Sequence, residues 1–326
     1  MNEITIKVPR YLIFERTIDF VNTFKELNDV ARYTFDFKDL KRIDPFSLLY
    51  LSSELRTFKL KNPKCEFLAK NFQHCTYAAH MGFFQAFGLD FGKFPGQAKS
   101  NNRYIPIKIY DVPQIKEAAR DSMVHVGEIL EGFAKEISSV LTQNYDVRLT
   151  EILRYSLREA MRNIVEHSHS KRFGFCAQFL PSLNIVSFAV LDRGIGIKES
   201  LLDNPRLNLN SHLEAIKESI KPGISGKIYP GQKRKPKGDW ANSGYGLYMT
   251  SNICRKGGSF FIASGDKGLY LSKEDEKVLD IKIDGTSLNL TINLNQENDL
   301  DEILKELRDT AGQLTNIKAS KSSMNK

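Results

Sequence analysis

Residues 159–167 read Glu159-Ala160-Met161-Arg162-Asn163-Ile164-Val165-Glu166-His167. At 3.6 residues per turn, the four-residue spacing sets Glu159, Asn163 and His167 along one stripe of a helix. The other side carries Met161, Ile164 and Val165, an apolar face suited to packing. One helix therefore buries a flank and displays a carboxylate, an amide and an imidazole together. Taken alone, the stripe reads equally well as a solvated face. Thr150 is placed to cap this helix, and Glu151 sits favourably against its dipole.

Two glycine-bearing segments follow. The apolar strand Val186-Ser187-Phe188-Ala189-Val190-Leu191 ends on Asp192-Arg193-Gly194-Ile195-Gly196. A carboxylate at a strand end can accept a directional hydrogen bond from an exocyclic amine. The paired glycines let the backbone approach a flat ring or take positive φ. A plain Asp-x-Gly turn is the alternative. Further on, Asn242-Ser243-Gly244-Tyr245-Gly246-Leu247 runs directly into a helix. Glycines at a helix start expose N–H groups where the dipole favours an anion. Asp284-Gly285-Thr286 opens the last strand.

In this order, Glu-x3-Asn-x3-His, Asp-x-Gly-x-Gly, Gly-x-Gly-Leu and Gly-Thr resemble the N, G1, G2 and G3 boxes of the GHKL ATPases. That superfamily includes gyrase B subunits, the heat-shock 90 chaperones, histidine kinases and anti-sigma factor serine kinases. The resemblance covers residues 114–296. Ser156-Leu157-Arg158-Glu159-Ala160, with Asn163 and the following histidine, is most similar to the anti-sigma kinase subgroup. The resemblance implies a Bergerat-type α/β sandwich, a mixed sheet covered by helices on one face, with ATP and Mg²⁺ as cofactors. It implies that Asn163 binds the metal, that Asp192 reads the adenine amine, and that Gly194 and Gly196 line the adenine pocket. Gly244, Gly246 and Leu247 would supply the phosphate-binding turn, with Thr286 near the adenine. Glu159 would polarise the nucleophile, and His167 would face the phosphates or close the helix. The segment between Gly196 and Gly244 corresponds to the family's ATP lid and reads as irregular. Within it, the basic segment 227–238 carries Lys233-Arg234-Lys235-Pro236-Lys237, open to three readings: lid surface, phosphate contact or nucleic-acid contact.

Outward from this core, a helical stretch spans 114–143, strands fall at 173–179 and 183–191, a helix at 247–256, and strands at 259–263 and 286–294. Residues 297–310 read as a short polar helix before a polar tail, together 297–326. Toward the amino terminus, residues 93–103 are rich in Lys, Gly, Gln, Ser and Asn, within a linker 93–113. Residues 1–92 alternate strands (3–8, 33–37, 65–69) with helices (17–31, 47–58, 77–87), an α/β pattern. The order strand, helix, strand, Asp44-Pro45-Phe46-Ser47, helix, strand, helix resembles a STAS domain. Many STAS domains carry a phosphorylatable hydroxyl directly after that aspartate. Here the position is Pro45, with Ser47, Ser52 and Ser53 further into the helix. The expectation is a docking surface for a protein partner.

Composition sets the outer limits. The chain has 326 residues, 41% hydrophobic and 26% charged, which suits two α/β domains with packed cores. The first residues lack the apolar block of a signal peptide, so the expected compartment is the cytoplasm. Cys65, Cys75, Cys176 and Cys254 form no CxxC pair and read as reduced thiols, and His74 and His80 as ordinary histidines. The net charge of +8 permits nucleic-acid contact, but no DNA-binding motif accompanies it, and no run suits a membrane span. His125 lacks the acidic neighbour of a histidine-kinase phosphoacceptor. The expected activity is phosphoryl transfer from Mg-ATP, by hydrolysis or serine/threonine kinase action. The alternative is an ATP-gated protein-binding or homodimerisation module with little turnover.

Overall fold

The structure is a computed structural model and describes residues 2–27, 30–142, 147–226 and 246–294. The fold is mixed α/β. Among the described residues, no helix is long and apolar enough to cross a membrane. A three-stranded sheet has the strand order Glu3–Lys7, Arg32–Asp36, Glu66–Lys70, and a five-stranded sheet the order Tyr104–Asp111, Arg172–Leu180, Ile185–Asp192, Glu276–Asn293, Gly258–Ser272. Contacts divide the described residues into two compact units, one running to Ile109 and including Gly174–Gln178, the other holding the rest.

In the first unit, β1 (Glu3–Lys7), β3 (Arg32–Asp36) and β5 (Glu66–Lys70) are parallel, with Ile6 opposite Phe35 and Tyr33 opposite Phe67. The two-residue strands β2 (Tyr11–Leu12) and β4 (Arg42–Ile43) form a separate parallel pair. Helices α1 (Phe14–Lys25) and α2 (Pro45–Lys61) supply Phe24 and Phe58 to an aromatic core. Phe24 meets Phe35 and Phe58 edge-on at 5.6 and 5.2 Å, and Phe58 meets Tyr33 at 5.1 Å. Such T-shaped pairs add to area burial because ring edges and faces carry opposite partial charge.

The expected helix at 77–87 is two short ones, α3 (Thr76–His80) and α4 (Phe83–Ala86). Gly82, at φ 87°, breaks the run in a left-handed conformation open mainly to glycine. Residues 104–111, inside the stretch expected to link the two halves, form strand β6 (Tyr104–Asp111).

The start of α2 is fixed by Asp44. Its Oδ1 accepts from the Ser47 N–H at 2.7 Å, and its Oδ2 from the Phe14 N–H at 2.9 Å. Pro45 fits the first helical position, where no N–H is needed. Ser47 is fully buried, with its Oγ 2.6 Å from Thr17 Oγ1. Ser52 is buried as well and donates to the Leu48 carbonyl at 2.7 Å.

In the second unit the expected continuous helix at 114–143 is broken into α5 (Val112–Asp121) and α6 (Val126–Thr142), with Met123 left-handed between them at φ 53°. Helix α7 (Val147–Asn163) packs on α6. Leu130, Ala134 and Ile137 are buried on α6, as are Leu153, Leu157 and Met161 on α7. Thr150 lies inside α7 and does not cap it; its hydroxyl is 2.7 Å from Thr142 Oγ1. Strand β7 (Arg172–Leu180) precedes β8 (Ile185–Asp192).

The stretch expected to be irregular after Gly196 contains α8 (Gly196–Leu201) and α9 (His212–Ser219). Ser211 and Glu214 form a reciprocal capping box at the start of α9. Helix α10 (Gly246–Gly257) leads into β9 (Gly258–Ser272), which pairs antiparallel with β10 (Glu276–Asn293) as a long hairpin. These strands are far longer than the expected 259–263 and 286–294. The expected helix at 297–310 and the tail lie outside the described residues.

The Asp44 cap gives a stability test. Asp44→Ala removes two acceptors from buried N–H groups and should destabilise by about 2 kcal/mol, read from the urea midpoint. Ser47→Ala leaves both Asp44 contacts in place and should cost less. Equal midpoints for Asp44→Ala and the parent would show that the cap does not hold α2.

Candidate functional site

Helix α7 continues through Asn163 into a π-helical turn, Ile164–Ser168. The wider turn shifts the last residues off the regular 3.6-residue stripe, and such turns recur at functional sites. His169, at φ 56°, ends it. Ser168 then does two things. Its Oγ donates to the Ile164 carbonyl at 2.8 Å, and its own carbonyl accepts the Ile195 N–H at 2.8 Å. The end of the helix is thereby tied to the loop after β8.

That tie explains the glycines. A methyl group on Gly194 would sit 1.9 Å from the Ser168 oxygen, so no side chain fits there. Gly196 has φ 79°, and its Cβ position is 2.6 Å from Ser264 Oγ. Ser264, buried on β9, accepts from the Ile197 N–H and donates to the Gly285 carbonyl, both at 2.9 Å. Gly285 is itself left-handed, at φ 98°. Three chain segments are thus locked around the end of β8.

The second unit contains a partly open pocket. Asn163, His167, Asp192, Thr286, Gly246 and Leu247 are among its lining residues. Val190, Ile262 and Leu288 supply apolar surface, and Gly196, Ile197 and Leu201 belong to the wall formed by α8. Ser219, Ile224, Ser225 and Gly226 complete it. None of the described lining residues is Lys or Arg.

Asp192 faces Thr286 across the β8–β10 pairing and is 1% exposed. Its Oδ1 accepts the Gly194 N–H at 2.7 Å, whereas Oδ2 has no hydrogen-bond partner among the described residues. Burial pushes its carboxyl up to about 6, against hydrogen bonds that favour the charged form. The Nδ2 of Asn163 is likewise buried without an acceptor. Orphaned buried polar atoms are rare in folded proteins, and these two belong to residues that line the same pocket, where a polar ligand or water can satisfy them.

Of the residues singled out by sequence, the pocket brings together Asn163, His167, Asp192, Gly196, Gly246, Leu247 and Thr286. Gly194 lies just behind the wall and acts through its fit to Ser168. Glu159 does not line the pocket. Its Oε1 accepts from Arg158 Nε and Nη2 at 3.2 and 3.1 Å, and Arg162 Nη1 lies 3.6 Å away. Gly244 and the basic residues Lys233, Arg234, Lys235 and Lys237 lie outside the described residues.

Sequence reasoning missed Ser168, Ser264 and the wall from Ser219 to Gly226. The Ser211-x-x-Glu214 signature marks α9 and was the available clue to that wall. Nothing in the sequence marks Ser264.

His74 and His80 are engaged separately, His74 Nε2 with the Leu40 carbonyl at 3.0 Å and His80 Nε2 with Tyr104 Oη at 2.9 Å. All four cysteines are free thiols.

The burial of Asp192 has a stability consequence with a definite sign. Its folded-state value of about 6 lies above the ordinary 3.8, so the folded protein holds this proton more tightly than the unfolded chain. The ionised carboxylate therefore costs stability above about pH 6, and acidification toward pH 4 relieves that cost. Asp192→Asn should be more stable than the parent at pH 7.5, by on the order of 2 kcal/mol. The difference should shrink as pH falls through that window. Urea denaturation at several pH values checks this, and a constant difference from pH 4 to 7.5 would count against it.

No protein-family model matches the chain, and comparison with curated proteins finds no match.

Proposed function

We propose that residues 114–296 bind Mg-ATP as a GHKL domain does, and that nucleotide occupancy drives a regulatory switch linked to a STAS-like domain, residues 1–92. The observation that carries this reading is the convergence, in one pocket, of a buried carboxylate oxygen lacking a donor, a buried amide lacking an acceptor, and the glycine end of a helix.

Each element complements a part of the ligand. An adenine amine would donate to Asp192 Oδ2, close to Thr286. Val190, Ile262 and Leu288 offer apolar contact to a flat ring. Gly246 and Leu247 present the N-terminal end of α10, where backbone N–H groups and the helix dipole suit phosphate. Asn163 would be a metal ligand, and Mg²⁺, when bound, would neutralise phosphate charge. Phosphate oxygens and water would fill the remaining coordination. Among the described residues there is no cluster of three His, Cys, Asp or Glu to hold an ion by protein ligands alone. That fits an ion carried by the nucleotide. The parallel sheet β1-β3-β5 and the Asp44-capped helix support the STAS-like reading of the first unit, with a protein as its partner.

Phosphoryl transfer, as hydrolysis or serine/threonine kinase activity, is the activity the resemblance attaches to Glu159. The position of that side chain, off the pocket wall and held by Arg158, favours the second reading: an ATP-gated binding or dimerisation module with slow turnover. Incubation with γ-labelled ATP and Mg²⁺ separates the two by free phosphate, labelled protein or neither.

Binding is the first test. Calorimetry should give a micromolar dissociation constant with Mg²⁺, about −8 kcal/mol. Asp192→Ala should lose at least ~1.5 kcal/mol, because a buried directional hydrogen bond goes. In the parent, affinity should fall as pH drops through about 6 and the carboxylate takes a proton. Unchanged ATP affinity in a folded Asp192→Ala protein would sink the adenine assignment.

The burial of Ser47 and Ser52 supports a docking role for residues 1–92. After incubation with ATP, mass spectrometry should find neither residue phosphorylated in the native protein. Stoichiometric phosphate on either would instead indicate a displaced phosphoserine switch.

A further inference from the structure

The pocket does not include the acidic residue of the α7 stripe. Glu159 sits in a ladder of alternating charge. Glu151 pairs with Arg154, whose Nε contacts Glu131 Oε1 at 2.9 Å. Arg158 Nη1 reaches Glu131 Oε2 at 3.1 Å and the same guanidinium holds Glu159. Arg162 approaches Glu159 and pairs with Glu166 at 2.7 Å. The side chains of Arg158 and Arg162 are 6% and 4% exposed, so water screens these contacts little.

The other carboxylate oxygen faces α10. A Cβ built on Gly246 would lie 2.3 Å from Glu159 Oε2 and 3.1 Å from the Glu159 carboxyl carbon. The backbone of α10 therefore approaches Glu159 more closely than any residue with a side chain would allow. An anion at this end of a helix is favoured by the helix dipole. One oxygen is thus engaged by guanidinium N–H groups, the other lies against the first residue of α10, and the side chain is not among the pocket's lining residues. A general base needs an oxygen within hydrogen-bond reach of the proton it takes.

We propose that Glu159 is a positioning residue: clamped by Arg158 and Arg162, it seats the N-terminal end of α10 at the pocket and does not accept a proton from a nucleophile. The proposal rests on the nucleotide reading for its ligand arm only. Its structural arm can be read without nucleotide.

The test compares the full-length parent with Glu159→Gln, which keeps the shape and removes the charge, and Arg158→Lys, which keeps the charge and loses the fork. Hydrogen exchange of the amides of residues 247–250 is followed in the nucleotide-free protein, and Kd is measured for ATP with Mg²⁺ and for adenosine. Glu159→Gln should speed exchange in that segment by roughly tenfold or more, with ATP weakened by a similar factor. Adenosine, which lacks phosphates, should bind with its parental affinity. A general loosening of the fold would weaken both ligands alike, and that result would overturn the proposal. Arg158→Lys should move exchange and ATP affinity in the same direction by a smaller factor, and serves as the test if Glu159→Gln does not fold. Unchanged exchange and unchanged ATP affinity in a folded Glu159→Gln protein would also overturn it, most directly if turnover alone were lost. If the parent binds no ATP, the nucleotide reading fails by itself, and the exchange result still decides whether Glu159 seats α10.

Discussion

The contact on which the pocket depends is the approach of the Ser168 carbonyl to the Gly194–Ile195 backbone. The Ile195 N–H donates to that oxygen at 2.8 Å, and the space beside it excludes even a methyl group at Gly194. This contact joins the end of the π-helical turn to the end of β8. It sets Asn163 and His167 relative to Asp192. A side chain at Gly194 would push the helix end away from the strand. Ser264 makes the corresponding tie on the other side, linking β9 to the first turn of α8 and to Gly285. The geometry is held by backbone groups, so little of it depends on side-chain rotamers.

A site built this way carries a cost in stability. Asp192 is taken out of water with one oxygen accepting the Gly194 N–H and the other without a hydrogen-bond partner among the described residues, and burial pushes its carboxyl up to about 6. Folded proteins tolerate such groups where a ligand completes them, which is why perturbed carboxylates concentrate at functional sites. The same logic separates Asp192 from Asp44. Asp44 is half-buried, and both of its oxygens accept backbone N–H groups within the fold. The two aspartates therefore play different parts, one capping a helix and one lining the pocket.

How much of this was legible in the sequence depends on the range of the interaction. Period-two and period-3.6 patterns located β1, β3, β5, β7, β8 and the helices α2, α7 and α10 to within a few residues, whereas the helix expected at 17–31 ends at Lys25 as α1. The alternation of strands and helices gave the α/β class. Breaks set by one residue's backbone were missed: Gly82 splits the helix expected at 77–87, and Met123 splits the one at 114–143. Strand β6 was hidden inside a polar stretch read as a linker. The distal half of the β9–β10 hairpin was missed because its residues alternate with charges that favour solvent on both sides, such as Lys267 and Asp280. At the site, the residue types were legible because glycines and acids in a fixed order are informative. Their partners were not: the Ser168 carbonyl belongs to no motif, and Glu131 meets Arg158 only because α6 packs on α7.

Charge balance adds a last constraint on any polyphosphate in this pocket. Where α6 packs on α7 and the turn that follows it, the ladder sets Glu131, Glu151, Glu159 and Glu166 against Arg154, Arg158 and Arg162, so its arginines are already matched by carboxylates. Asp192 adds a further acid to the lining, and among the described lining residues no lysine or arginine offsets it. A triphosphate seated here would therefore meet a wall that is neutral or slightly negative. The attraction would have to come from the N–H groups at the end of α10 and from the cation carried by the nucleotide. In that reading the divalent ion would be part of the recognition itself. The seating of α10 would matter for the same reason: with the arginines committed to Glu131, Glu159 and Glu166, the helix end would be the positive potential that the described lining offers a phosphate.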